Sequence, residues 1–331
     1  VLCSFSVTSD GMLYFGGSVY DAAPQLEGLG ADAVGINCSL GPDQMTAVVR
    51  TLAQNLTVPV IAKPNAGMPT ITETGEAVYS MKKEEFTRHL LHLRDCGASV
   101  VGGCCGTTPA FIEALRLKLA GKKAVWTEKT VHGICSASEV CAFGQGVRVI
   151  GERINPTGKK RFQQALREKD MNYIVAQAVE QADAGAQILD INVGLPGIDE
   201  VDLMRRVVTA IGGAVGLPLQ IDSSNPAAIE AGLRAAPGKC LINSVNASES
   251  SLQTVLPLAK KYGAAIVGLA LGESGLPSTS DERMAFAQKI VDAAVKQEIP
   301  REDIAIDCLT LTVSAQQGQV GQTLEAVRRV R

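Results

Sequence analysis

The sequence predicts an α/β chain built from βα repeats around parallel sheets. Short apolar runs alternate with longer amphipathic or Ala-rich stretches from end to end. One interval, Gly121 to Gly146, breaks this rhythm with mixed charges, Gly and Ser, and it separates four predicted strands from six. Composition agrees: 46% of residues are hydrophobic but only 4% aromatic, with 33 Gly, so the interior is aliphatic and small, and disorder is excluded as the main state.

Taken in order, the first strands fall near 1–7, 33–38, 58–63 and 99–103, each a short apolar run. Helices are predicted between and after them at 42–55, 83–95 and 109–120, where apolar residues recur at helical spacing. The second series of strands lies near 147–151, 186–192, 217–222, 239–243, 264–270 and 303–308. Its helices are predicted at 161–184, 199–212, 226–235, 250–262 and 281–297. The expected domains are therefore 1–124 and 147–331, joined by a linker at 125–146.

Charge and cysteine content narrow the function. With 34 acidic and 31 basic residues the net charge is −3, which argues against a nucleic-acid or polyanion binder. No run of 18 apolar residues and no N-terminal leader pattern occurs, so the chain reads as cytoplasmic, with no membrane partner. Nine irregularly spaced Cys, two of them adjacent, make a poor disulfide framework and point to thiols or metal ligands in a reducing compartment.

Cys38 ends the strand AVGINC, and Cys104 and Cys105 directly follow SVVGG. In a parallel barrel all strands open at their carboxyl ends on one face, so these three thiols would converge. Three thiolates suit Zn²⁺ and leave one coordination position open; ordinary buried thiols are the other reading. Cys3, Cys96, Cys135, Cys141, Cys240 and Cys308 have no comparable partners and read as core or incidental.

The segments GINC (35–38), KPNAGMP (63–69) and GGCCGTTP (102–109) resemble the second half of the barrel of zinc-dependent homocysteine S-methyltransferases. That resemblance implies that Cys38, Cys104 and Cys105 hold zinc and that the Asn of KPNAG, Asn65, helps hold homocysteine. An Asn in a βα turn that bonds its own backbone is the alternative for Asn65.

In the second half, VRVIGERINPTG from 147 is followed by five successive strands that end in Asp, Asn or Glu, which suits a concave polar pocket: LDINVG (189–194), QIDSSNP (220–226), CLINSVN (240–246), LALGESGLP (269–277) and IAIDCLTLTV (304–313). Single acidic ends would serve as helix caps. These segments resemble the pterin-binding barrel of methyltetrahydrofolate methyltransferases. The resemblance places Asp222, Asn243 and Asp307 on the pterin ring, with Glu152, Asn155, Asp190 and Asn192 on the same rim. A carboxylate accepts N–H groups of the ring, while an Asn offers both donor and acceptor. Asp190 also reads as a loop anchor. His89 and His92 read as a solvated helix face, and Lys159, Lys160 and Arg161 as surface or as an attractor for a glutamate tail.

The two resemblances in succession are those of the cobalamin-dependent methionine synthase family. They imply two (β/α)8 TIM-type barrels in tandem, with Cys38, Cys104, Cys105, Asp222 and Asn243 closest to the chemistry. They also imply methyl transfer from 5-methyltetrahydrofolate to cob(I)alamin, and from methylcobalamin to zinc-activated homocysteine. No DxHxxG corrinoid pattern is present, so cobalamin is expected from another module or a separate corrinoid protein. Two whole barrels need about 500 residues, so both are expected to be incomplete within these 331 residues. A stand-alone corrinoid methyltransferase, a dihydropteroate synthase-like enzyme and an inactive zinc- or folate-binding fragment are the rival readings.

Overall fold

The computed structural model describes residues 1–14, 16–125, 132–144, 146–273, 275–310 and 317–330. The chain divides into two compact units, Val1–Val131 and His132–Arg331. Among the described residues no helix is long and apolar enough to cross a membrane.

The first unit contains, in order, β1 (Leu2–Phe5), α1 (Val19–Gly28), β2 (Ala33–Asn37), α2 (Thr46–Asn55) and β3 (Val60–Lys63). It continues with β4 (Thr70–Ile71), β5 (Ala77–Val78), α3 (Lys83–Asp95), β6 (Ala98–Val101) and α4 (Pro109–Leu119). Four strands form a parallel sheet in the order β1-β2-β3-β6. The small strands β4 and β5 make a separate antiparallel arm. Val34, Ile36, Val60 and Ala62 pack with Val48, Leu52, Phe86 and Leu90 of α2 and α3, which is the burial the apolar runs predict. Gly35 lets β2 and β3 lie close, because a Cβ there would fall 2.0 Å from the Ile61 carbonyl oxygen.

The second unit begins with a hairpin, β7 (Gly133–Cys135) and β8 (Val140–Ala142). The sequence expectation for this stretch is a linker; its residues 126–131 and Gln145 lie outside the described residues. There follow β9 (Ile150–Ile154), α5 (Lys160–Glu168), α6 (Met171–Asp183), β10 (Ile188–Asn192), α7 (Glu200–Ala214) and β11 (Leu219–Asp222). Next are α8 (Pro226–Ala235), β12 (Leu241–Asn246), α9 (Glu249–Tyr262), β13 (Ala265–Leu269), α10 (Ser280–Lys296), β14 (Ile304–Asp307) and α11 (Val320–Val330). The six strands β9 to β14 pair in chain order, all parallel, as in a TIM-type sheet, and among the described residues β9 and β14 do not pair with each other.

Alternation along these strands sorts the side chains by destination. Leu189, Ile191, Leu219, Ile221 and Ile242 point into the helix layer with Val207, Ile229 and Leu256. On the other face, Ile188, Leu241 and Ala265 meet Ile134 and Cys141 of the hairpin, with Phe143 and Val267 against them. The hairpin is held there by Cys135 N–H donating to Lys239 O at 3.0 Å and Ser136 Oγ donating to Gly216 O at 2.6 Å. Two residues further along each strand the same face turns polar, with Asp190, Gln220, Asn243, Asn192 and Asp222. The sheet's inner side thus has an apolar floor and a polar mouth at the carboxyl ends.

Three expectations shift. The strand expected at 147–151 is Ile150–Ile154, because pairing with β10 starts only at Ile150 opposite Ile188. Val147 and Val149 are apolar but exposed. The helix expected at 161–184 is broken into α5 and α6, since Lys169 takes a left-handed φ of 56° and Asp170 caps α6 by accepting from Tyr173 N–H. Helices α1 and α11 were not expected; Pro24 inside α1 obscures its period.

Candidate functional site

In the first unit, β2 delivers Cys38, and the turn after β6 delivers Cys104 and Cys105. Cys38 and Ser39 both adopt left-handed φ values, 56° and 53°, a conformation that costs a non-Gly residue about 1–2 kcal/mol. Such strain persists where the surroundings over-determine it. Ser39 Oγ supplies part of that constraint, donating to Val7 O at 2.9 Å and accepting from Val7 N–H at 3.1 Å. The exit of β3 is the frame shared by both thiol loops. Lys63 O accepts Cys38 N–H at 3.0 Å, Pro64 O accepts Cys104 N–H at 2.9 Å, and Cys105 O accepts Ala66 N–H at 2.8 Å. Asn65, 4% exposed, takes Cys105 N–H on its Oδ1 at 3.2 Å.

The three sulfurs all lie within 4.8 Å of one another, with Cys38 to Cys105 at 3.6 Å and Cys104 to Cys105 at 4.0 Å. Tetrahedral Zn–S bonds of about 2.3 Å place sulfurs about 3.8 Å apart, so the donor set fits zinc in both chemistry and spacing. Burial pushes the Cys38 thiol up, but the Ser39 N–H, Cys105, Cys104 and Asn65 outweigh it and hold it below its ordinary value. Cys105 is pushed up by Cys38 and Cys104.

Tyr79, which the motifs do not single out, sits over this cluster. Its ring lies where a Cβ on Gly106 would be, 2.3 Å from Tyr79 Cγ, and burial followed by the nearby Cys105 holds its hydroxyl above its ordinary value. On α3, His89 is half-buried and His92 exposed, with His92 Nε2 3.7 Å from Cys96 Sγ, and neither belongs to the thiol cluster. Of the other six cysteines, Cys96, Cys135, Cys141, Cys240 and Cys308 are buried and Cys3 is half-buried.

In the second unit, Asp190, Asn192, Asp222 and Asn243 form one connected cluster at the mouth of the sheet. The register puts Asn192 opposite Asp222, and Asp222 opposite Asn243. Asn192 Nδ2 donates to Asp222 Oδ2 at 2.9 Å. Asp190, 1% exposed, accepts on Oδ1 from Gln220 Nε2 at 2.5 Å and from Asn243 Nδ2 at 3.3 Å. Burial, then the neighbouring Asp222 charge, pushes the Asp190 carboxyl up to about 7. Burial raises Asp222 as well, with Glu152 adding to it against the Asn192 bond. Glu152 accepts Asn155 Nδ2 at 2.7 Å, and the shift of β9 puts it within the strand rather than after it. Asp307 stands apart, exposed at the end of β14 and capping its own turn by accepting Leu309 N–H at 2.7 Å; residues 311–313 of its motif lie outside the described residues. Lys159 and Arg161 are engaged locally, Lys159 Nζ on Glu152 O at 3.0 Å and Arg161 on Asp170 at 3.1 Å.

A cavity of about 420 Å³ opens beside this cluster, lined by Asp222, Asn243, Ser223, Ser244, Asn246 and Ser248 among others. Its polar wall and volume suit a ring-sized heterocycle.

Residues 151–331, more than half of the chain, match the family described as pterin binding enzyme. The chain belongs to the pterin binding enzyme family. Residues 1–119 match the family described as homocysteine S-methyltransferase. Methionine synthase of Mycobacterium tuberculosis (strain ATCC 25618 / H37Rv) is 32% identical over 346 residues, covering 100% of this chain and 29% of that protein. Methionine synthase of Mycobacterium leprae (strain TN) is 31% identical over 353 residues, with the same coverage of 100% and 29%. The chain therefore spans under a third of the length of these relatives. A solved dihydropteroate synthase from Xanthomonas albilineans in complex with 7,8-dihydropteroate is similar at a TM-score of 0.42 and 22% identity, covering 56% of this chain and 68% of that one. That likeness is too remote to carry an argument.

Proposed function

We propose that this chain takes part in methyl transfer from 5-methyltetrahydrofolate to homocysteine, with a corrinoid held by another module or protein as carrier. The observation that carries the reading is the thiol cluster: Cys38 and the adjacent pair Cys104 and Cys105, remote from it in sequence, bring their three sulfurs within 4.8 Å of one another in the unit that matches homocysteine S-methyltransferases. Cys38, Cys104 and Cys105 would hold zinc, and Asn65 fixes the loop that presents Cys105. When bound, zinc supplies a Lewis acid that leaves a coordinated thiol deprotonated at neutral pH. In the second unit Asp222 and Asn243 hold the pterin ring, with Asp190, Asn192, Glu152 and Asn155 arranged around them and Asp307 on the rim. Their work is orientation, fixing the ring so that its methyl group faces the acceptor.

Two measurements on the whole chain test this. Metal analysis is expected to find one zinc per chain, lost in Cys38→Ser. Calorimetric titration with 5-methyltetrahydrofolate is expected to show binding that Asp222→Ala weakens roughly tenfold or more, because ring donors are left unpaired in a desolvated pocket. Absence of zinc from the wild-type chain, or affinity unchanged by Asp222→Ala, would overturn the corresponding half of the assignment.

A further inference from the structure

Asp190 is among the most buried charged residues of the chain, 1% exposed, and does not line the cavity. What it touches are amides. Its Oδ1 draws in Gln220 Nε2 and Asn243 Nδ2, while its Oδ2 and Gln220 Oε1 have no partner among the described residues. The charged groups facing it, Asp222 on β11 and Glu152 on β9, are both acidic, and Lys159 Nζ is turned to backbone carbonyls instead. Among the described residues Asp190 has no counter-ion to serve, so its role runs through hydrogen-bond polarity.

The two ends of an Asn amide point apart. With Nδ2 drawn to Asp190, the carbonyl of Asn243 is the end facing away, and Asn243 lines the cavity. Next to it on the neighbouring strand stands the Asp222 carboxyl, whose Oδ2 is held by Asn192. We infer that Asp190 is a positioning residue that fixes the Asn243 amide, so that Asn243 and Asp222 together show the cavity a row of acceptors. The ligand edge selected there is one that carries N–H donors. Asn243 thus acts toward the ring as an acceptor, although an Asn in isolation offers both polarities.

The inference rests on the pterin reading of this cavity, and a polarity swap separates the two. Affinity for 5-methyltetrahydrofolate is measured by calorimetry on the full chain, with a thermal melt to verify that each variant folds. Asn243→Asp keeps an acceptor toward the ring but sets a second carboxylate against Asp190; affinity is expected to fall roughly tenfold or more. Adding Asp190→Asn returns a donor to position 190 and a single acceptor opposite it, so the double variant is expected to recover to within about threefold of wild type. Asp190→Ala, which frees the Asn243 amide to rotate, is expected to lose roughly tenfold. A double variant no better than Asn243→Asp alone overturns the inference, as does wild-type affinity in Asp190→Ala. If Asp190→Ala does not fold, the swap pair decides. No binding by the wild-type chain overturns both this inference and the pterin reading; binding with an unrescued swap overturns this inference alone.

Discussion

Lys239 and Asp303 form a buried ion pair, Nζ to Oδ2 2.6 Å, with side chains 5% and 10% exposed. Lys239 stands two residues before β12 and Asp303 directly before β14, so the pair bridges the starts of two strands that flank β13. Lys239→Met leaves the Asp303 carboxylate buried with no cation, and Asp303→Val does the same to the Lys239 ammonium. Breaking such a pair from one side costs about 3–5 kcal/mol. For a unit of this size each kcal/mol lowers the melting temperature by about 2–4 °C, so either single variant is expected to melt roughly 6–20 °C lower. The double variant, which replaces both charges by apolar groups, is expected to recover most of that loss, because desolvation cancels much of the Coulombic gain of a buried pair. Thermal and urea unfolding followed by circular dichroism read all three. A single variant that loses under about 1 kcal/mol, or a double variant below both singles, would show that water reaches this pair and refute the reasoning.

Three other outcomes follow from geometry already described. Gly106→Ala is expected to cost about 1–3 kcal/mol, since Gly106 has φ +77° and a Cβ would collide with the Tyr79 ring; an unchanged melt would show that the ring moves freely. Phe86→Ala, at a site 0% exposed with Phe111 edge-on at 5.4 Å, is expected to cost about 3–5 kcal/mol, and a loss below 1 would mean the first core collapses around the gap. Asp190→Asn changes the pH dependence of stability. Asp190 sits near 7 in the fold against an ordinary 3.8, so the folded chain holds a proton that the unfolded chain releases across that window. Stability then falls as pH rises from about 4 to about 7 and levels off above, so the variant's urea midpoint is expected to gain on wild type across that window. Parallel curves would refute the shift.

The βα rhythm was legible because strands covered on both sides are apolar along most of their length, as β2 and β3 are up to their last residue. The thiol cluster was legible because strand ends of a parallel barrel share one open face and because GINC and GGCCG resemble the thiol motifs of homocysteine S-methyltransferases. What could not be read were features decided by tertiary contact. VRVIG reads as a strand, but pairing begins at Ile150, and Glu152 moves inward with it. Tyr79 lies in a loop with no period, and only the empty space over Gly106 brings it to the thiols. Gln220 was within reach, since it stands two residues before Asp222 and must share its face. The polarity of Asn243 was not, because it depends on what a residue 53 positions away does with one amide.

The hairpin floor decides where the second unit can be cut. Ile134 and Cys141 cover Ile188, Leu241 and Ala265, yet they precede β9 and lie outside the 151–331 region that matches the pterin binding enzymes. Expression of that region from residue 147 would leave the underside of the sheet facing water, inviting association between copies. Starting ahead of Gly133 keeps the cover in place. The piece that folds is therefore longer at its front than the stretch that matches the pterin binding enzymes.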